Sequence, residues 1–181
     1  MTNLRTDRLI LRPWRESDLA PWAAMNADPE VREYFPGLLT REQSDSSVAR
    51  FQAGLDERGW GWWAVEVVAT GEFIGFTGLD PVDADMPFTG VEAGWRLARP
   101  AWGHGYATEA ARAALAFGFD DLGLAEILAV TAVGNLRSQA VMRRLGMTRD
   151  PADDFDDPGV PEGPLRRSVL YRLRACTEAQ A

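Results

Sequence analysis

The chain has 181 residues, 46% of them apolar, and a formal net charge of −8. That length suffices for one domain with a sizeable core, and the acidic balance argues against nucleic acid or an anionic membrane as the main partner while suiting a cationic one. The single cysteine, Cys176, rules out an internal disulfide and the lone His104 leaves no metal constellation of His and Cys. The opening Met1-Thr-Asn-Leu-Arg-Thr-Asp7 has no apolar signal core, and no stretch reaches the roughly 18 apolar residues of a membrane span, so a cytoplasmic location is expected.

Leu9-Ile-Leu-Arg-Pro13, a short apolar run closed by proline, reads as the first strand. Ser17 and Asp18 can cap a helix from about Leu19 to Ala27, and Pro29 opens a short helical turn that ends at Tyr34-Phe35-Pro36-Gly37. Thr40 with Gln43 fits a capping box for a helix over Arg41 to Arg58, whose Val48, Phe51 and Leu55 recur at helical spacing. Trp60 to Val68 and Phe73 to Leu79, turning at Thr70-Gly71, form a hairpin, followed by a loop from Asp80 to Gly90. Val91 to Leu97 is the next strand, with Trp95 and Leu97 on one face and Glu92, Gly94 and Arg96 on the other.

The stretch Arg99-Pro-Ala-Trp-Gly-His-Gly-Tyr-Ala-Thr-Glu-Ala-Ala111 is the turn between that strand and a helix from Tyr106 to Leu122. Gly103, Gly105 and Ala107 leave the backbone bare where the helix begins, and a helix start offers unpaired N–H groups and a positive dipole end. With no Lys or Arg between Gly103 and Ala111, backbone donors have to hold any anion there, a pyrophosphate being the best match. A glycine turn that only packs helix on strand is the alternative. A dinucleotide site fits poorly, because the sixth position of the Gly-x-Gly pattern is Thr108 and Glu126 precedes the next strand instead of following it.

The helix lays Ala107, Ala110, Ala111, Ala114, Leu115, Phe119 and Leu122 along one stripe and stops at Gly123. Ile127 to Val133 is a buried strand, Asn135 caps a helix from Leu136 to Leu145 that stops at Gly146, and Arg167 to Leu173 is the last strand. Asp150 to Gly163, acidic and proline-bearing, reads as a solvated loop with a possible part in substrate binding. Residues 1–175 are expected to form one domain, with 176–181 a C-terminal tail.

This order of elements resembles the GNAT acetyltransferase superfamily, and most closely its bacterial branch of ribosomal-protein N-terminal acetyltransferases. Four stretches carry the likeness: Thr6-Asp-Arg-Leu-Ile-Leu-Arg-Pro13, Glu92 to Leu97, Trp102-Gly-His-Gly-Tyr-Ala-Thr-Glu-Ala110, and Asn135-Leu-Arg-Ser-Gln-Ala-Val-Met-Arg-Arg-Leu-Gly-Met147. The resemblance implies an α/β (α+β) fold with a central, mixed but mostly antiparallel sheet of about seven strands, splayed at the middle and flanked by about four helices. One departure is that Trp102 stands where the superfamily often has Arg or Gln, which removes one side-chain contact to phosphate.

By the same resemblance, the cofactor is acetyl-CoA as acetyl donor, with its pyrophosphate on the backbone of the turn made by Trp102, Gly103, His104, Gly105, Tyr106, Ala107 and Thr108. Pantetheine would pair with the strand ending at Leu97, whose N–H would face the thioester carbonyl and support the oxyanion. Asn135 would cap its helix, bond the pantetheine amide, or both. Ser138, one turn on, would protonate the departing thiolate or only touch the cofactor; the Tyr that many members use for this is missing from Val141 to Leu145. Glu92 would be the general base, directly or through water, or a structural carboxylate. Trp14, Tyr34, Phe35, Trp62 and Trp63 are assigned to the substrate rim or, more simply, to the core.

The implied reaction is direct acetyl transfer to a primary amine, either a protein N-terminus or a small amine. An antibiotic- or polyamine-type acetyltransferase and a non-catalytic acyl-CoA-binding module are the alternatives. The resemblance also suggests a homodimer. The acceptor itself is not named by the sequence.

Overall fold

The computed structural model describes residues 2–175; Cys176 and the expected tail lie outside the described residues. Nine strands form one sheet, and four α-helices cover it. The strands are β1 (Leu4–Arg5), β2 (Leu9–Arg12), β3 (Trp62–Val67), β4 (Phe73–Pro81), β5 (Val91–Leu97), β6 (Glu126–Ala132), β7 (Thr148–Arg149), β8 (Phe155–Asp156) and β9 (Arg167–Arg174). The helices are α1 (Leu19–Asn26), α2 (Arg41–Arg58), α3 (Tyr106–Asp120) and α4 (Leu136–Arg144). The sheet runs β1-β2-β3-β4-β5-β6-β9-β7, with β8 also on β9. Every pairing is antiparallel except β5 with β6.

The expected strands are all present. The three additional ones, β1, β7 and β8, are two residues each, too short to show an alternating pattern. The expected helical turn after Pro29 is present as a turn, with the Arg32 N–H on the Asp28 carbonyl at 3.1 Å, and does not extend into a helix. Helix α2 starts as read: Thr40 accepts from the Gln43 N–H and the Gln43 side chain accepts from the Thr40 N–H. Gly123 and Gly146 both take positive φ at the ends of α3 and α4.

The two sheet faces differ. Helix α3 buries Ala110, Ala111, Ala114, Leu115, Phe117 and Gly118, so its apolar stripe takes in Phe117, with Phe119 only partly covered. The opposite face carries a dense aromatic cluster: Trp14, Trp22, Phe51, Trp62, Phe73 and Phe76, with ring centroids 5.3–6.4 Å apart. Trp14 belongs to this cluster and Trp63 is buried on the other face, edge-on against Phe117 of α3, so neither lies on a substrate rim. Their indole N–H groups are used internally, Trp14 on the Trp62 carbonyl and Trp63 on the Thr2 carbonyl.

The acidic segment after β7 is more ordered than its composition suggests. Asp154 pairs with Arg149, Asp153 with Arg172, and Phe155 is buried edge-on against Phe88. These carboxylates answer arginines on β7 and β9, partners that composition alone does not reveal.

Candidate active site

The site grows from a break in the sheet. Strands β5 and β6 pair at a single position, Glu92 opposite Leu128, and beyond it the ladder stops. Each strand is held on its other side, β5 by β4 over seven residue pairs and β6 by β9 over seven. The gap is therefore a built divergence between two anchored strands.

The register says which groups face it. The Ala98 N–H donates to the Ile74 carbonyl at 2.8 Å, and Arg96 lies opposite Phe76 in the same register. Because N–H direction alternates along a strand, the N–H groups of Trp95 and Leu97 point away from β4, into the gap. The Leu97 carbonyl points the same way, and the Trp102 indole N–H caps it at 2.8 Å. Trp102 thus reaches back to β5, a role its place in the turn did not announce.

The gap opens onto the start of α3. Gly103 and Gly105 have φ of +81° and +80°, a region that side chains rarely adopt. A Cβ on Gly103 would meet nothing within 4 Å, and one on Gly105 only the Arg8 guanidinium at 3.6 Å. The turn is a bare, exposed cradle in front of the unpaired N–H groups of Tyr106, Ala107 and Thr108. His104 is exposed beside it, its ring stacked on Tyr106 at 5.5 Å.

A cation does reach this cradle, but from the far end of the chain. Arg8 donates to the His104 carbonyl at 3.0 Å and lies 4.8 Å over the Tyr106 ring. It is fixed by Glu109, whose carboxylate accepts from the Thr6 hydroxyl (2.6 Å), the Arg8 N–H (3.1 Å) and Arg8 Nε (2.6 Å). Burial raises the Glu109 pKa, but these hydrogen bonds and the Arg8 charge outweigh it and leave the pKa below normal. The opening motif and the glycine-turn motif are therefore two halves of one structure, joined across about a hundred residues.

Across the gap stands the first turn of α4. Asn135 is buried; its Oδ1 accepts from the Ser138 N–H (3.1 Å), and its Nδ2 donates to Thr131 Oγ1 (2.9 Å) and Ser138 Oγ (3.1 Å). Asn135 is thus a helix cap with its amide occupied. The Ser138 hydroxyl accepts from Asn135 and keeps its own proton for donation. Arg137 lies 4.6 Å over the Trp102 ring and pairs with Glu33, so α4 faces both the glycine turn and the segment after α1.

At the closed end of the gap sits Glu92. Burial first, then the charges of Asp83, Asp80 and Asp157, push its pKa from 4.5 up to about 7. Asp80 is its cross-strand partner on β4 and is itself raised by burial, against the pull of Arg58. A carboxylate with pKa near 7 is half deprotonated at neutral pH and can accept a proton there.

Such a gap suits an elongated ligand with strand-like amides and an anionic end. The comparisons with known proteins agree. Residues 8–148 match the family model described as an acetyltransferase (GNAT) domain. The chain belongs to this family of acetyl-CoA-dependent acyltransferases. It is 37% identical to the uncharacterised protein YkkB of Bacillus subtilis, over 81% of this chain and 85% of the relative. It is 36% identical to the FsC-acetyl coenzyme A-N(2)-transacetylase of Aspergillus fumigatus, over 92% of this chain and 75% of that protein. An acetyltransferase structure from Agrobacterium tumefaciens superposes with a TM-score of 0.79 at 28% identity, covering 97% of this chain and 95% of that one. Among the described residues, no helix is long and apolar enough to cross a membrane, and no His, Cys, Asp and Glu group could hold a metal ion.

Proposed function

We propose that this protein transfers an acetyl group directly from acetyl-CoA to a primary amine, a protein N-terminus or a small amine, in the manner of the ribosomal-protein N-terminal acetyltransferase branch. The observation that carries the reading is the divergence of β5 from β6, with the Leu97 N–H turned into the gap and the bare Gly103–Gly105 cradle at its mouth. The cradle has the open backbone that a pyrophosphate needs, and the free edge of β5 has the unpaired N–H groups that pantetheine amides need.

Bound acetyl-CoA supplies an activated acyl group as a thioester; the chain's own residues do the rest. Backbone N–H groups of Gly103 to Thr108 hold the phosphates, with Arg8 adding charge beside Gly105. The Leu97 N–H donates to the carbonyl oxygen on which negative charge builds, a contribution often worth about 3 kcal/mol. Glu92 takes a proton from the acceptor amine, directly or through water. An α-amine with pKa about 8 is partly neutral already, so a carboxylate with pKa about 7 is an adequate base. The Ser138 hydroxyl donates to the leaving thiolate, relaying a proton that solvent replaces, so that CoA leaves as thiol and the serine is regenerated. Asp80, Asp83 and Asp157 around Glu92 favour a cationic amine on approach.

Release of free CoA thiol with a panel of amines, with the acetylated product identified by mass spectrometry, tests the proposal. Thiol release that tracks N-acetyl product supports it. Thiol release without any N-acetyl product, or none with every amine, overturns it.

A further inference from the structure

Arg96 sits on β5 immediately before Leu97, on the face covered by α1 and α2. Its Nη1 donates to Asn26 Oδ1 at 2.9 Å, and its guanidinium lies 4.0 Å from the centre of the Phe35 ring. Its Nε is buried and has no hydrogen-bond partner. The charge that acts on it is another cation, the buried Arg32, whose Nε donates to the Gly37 carbonyl at 2.6 Å. Both guanidinium groups have their pKa lowered by burial, Arg96 to about 9.

The chain has 27 acidic residues, yet among the described residues none forms an ion pair with either arginine. The contrast with Arg12 is instructive. That buried arginine on β2 is matched by both Asp18 (2.7 Å) and Glu66 (2.7 Å). A buried and a half-buried cation without an anion are costly, and the buried, unpaired Nε of Arg96 calls for a reason. The cost is relieved if an anion arrives from outside.

We infer that Arg96 and Arg32 bind a carboxylate of the acceptor, so that the acceptor is an amine carrying its own carboxylate, an amino acid or a related zwitterion. The charge layout of β5 fits such a molecule. Glu92 and its carboxylate neighbours lie at one end of the strand and Arg96 lies four residues on, on the same face, roughly 13 Å away along the backbone. Gly94 between them has no side chain, and the Trp62 ring lies over it, 3.0 Å from where a Cβ would be. The strand thus offers a proton acceptor at one end, an apolar floor, and an anion site beside the Leu97 N–H. This assignment rests on the acetyltransferase reading and narrows its acceptor.

The test uses the whole chain and pairs of acceptors, each an amino acid and its own carboxamide, over a series of increasing amine-to-carboxylate spacing. Rates are expressed per neutral amine, which removes the difference in amine pKa. In the unaltered protein, kcat/KM for at least one acid should exceed that for its amide by about tenfold or more, the factor that one charge-assisted hydrogen bond supplies. Arg96→Met should bring that ratio close to one, and Arg96→Lys should restore part of it. If Arg96→Met fails to fold, Arg32→Gln and the acid-to-amide ratio of the unaltered protein still decide. Amides acetylated as well as acids by the unaltered protein would overturn the inference while leaving acetyl transfer standing. So would an Arg96→Met loss that is equal for both. No transfer to any acceptor would instead be a failure of the underlying reading.

Discussion

Replacing Glu92 by glutamine separates its cost to the fold from its use in the reaction. In the folded chain, burial and the carboxylates of Asp83, Asp80 and Asp157 hold its pKa at about 7, against 4.5 for an unperturbed glutamate. Between those values the folded state keeps a proton that the unfolded chain has lost. Stability therefore falls as pH rises through this window. The gap corresponds to about 3 kcal/mol, fully expressed above pH 7 and absent well below pH 4.5. Glutamine has no charge to bury, so Glu92→Gln should gain on the unaltered protein by about 2 to 3 kcal/mol between pH 5 and pH 8. Urea denaturation of both proteins at several pH values reads this directly, because groups common to both cancel in the difference. In the same variant kcat/KM should drop on the order of 100-fold and lose its rise near pH 7. A stability difference that is flat with pH, or that shrinks as pH rises, would show that Glu92 ionises normally and refute the argument that burial has tuned it.

Further outcomes follow from other parts of the site. Gly105→Val forces a β-branched residue into φ +80° and puts a side chain into the phosphate cradle; calorimetric affinity for CoA should fall by at least about tenfold in folded protein, and unchanged affinity would remove the pyrophosphate assignment. Ser138→Ala should lower kcat on the order of 100-fold with CoA affinity near its starting value, whereas a twofold change would reduce Ser138 to a cofactor contact. In a mixture near pH 7, a peptide with a free N-terminus should be acetylated faster than the lysine of an N-terminally blocked peptide, since lysine must lose a proton against a pKa of about 10.4; preference for the lysine, seen by mass spectrometry, would mean a stronger base than Glu92.

The sequence makes the frame of this site legible because its signals are local. The alternation of β5, the glycines before α3 and the Asn135 cap each depend on residues a few positions apart, and each appears where it was expected. What stayed hidden depends on pairs far apart. Arg8 supplies the cation that the glycine turn lacks, but nothing in Thr6-Asp-Arg8 announces that Glu109 will seize it. Trp102 marks the turn, yet its bond to the Leu97 carbonyl depends on how the chain folds back through the short turn from Arg99 to Ala101. The strand's alternation places Arg96 on a face with Glu92 and Gly94 but does not announce that α1 and the segment after it close over it. The acidic run after β7 misleads for the same reason: composition registers its charge but not the arginines of β7 and β9 that answer it.

The account turns on the Leu97 N–H facing the gap, and proline at that position removes this donor, at the further cost of trimming a buried side chain. Leu97 does not donate to β4, and the preceding Arg96 is already extended, so the ladder through Arg96 and Ala98 can survive Leu97→Pro. The measurement is single-turnover acetylation of a good amine by protein preloaded with acetyl-CoA. The rate should fall by about 100-fold or more, the effect of losing one such donor, while acetyl-CoA still binds. A folded Leu97→Pro protein that transfers acetyl at the original rate would contradict the placement of the reaction between β5 and β6.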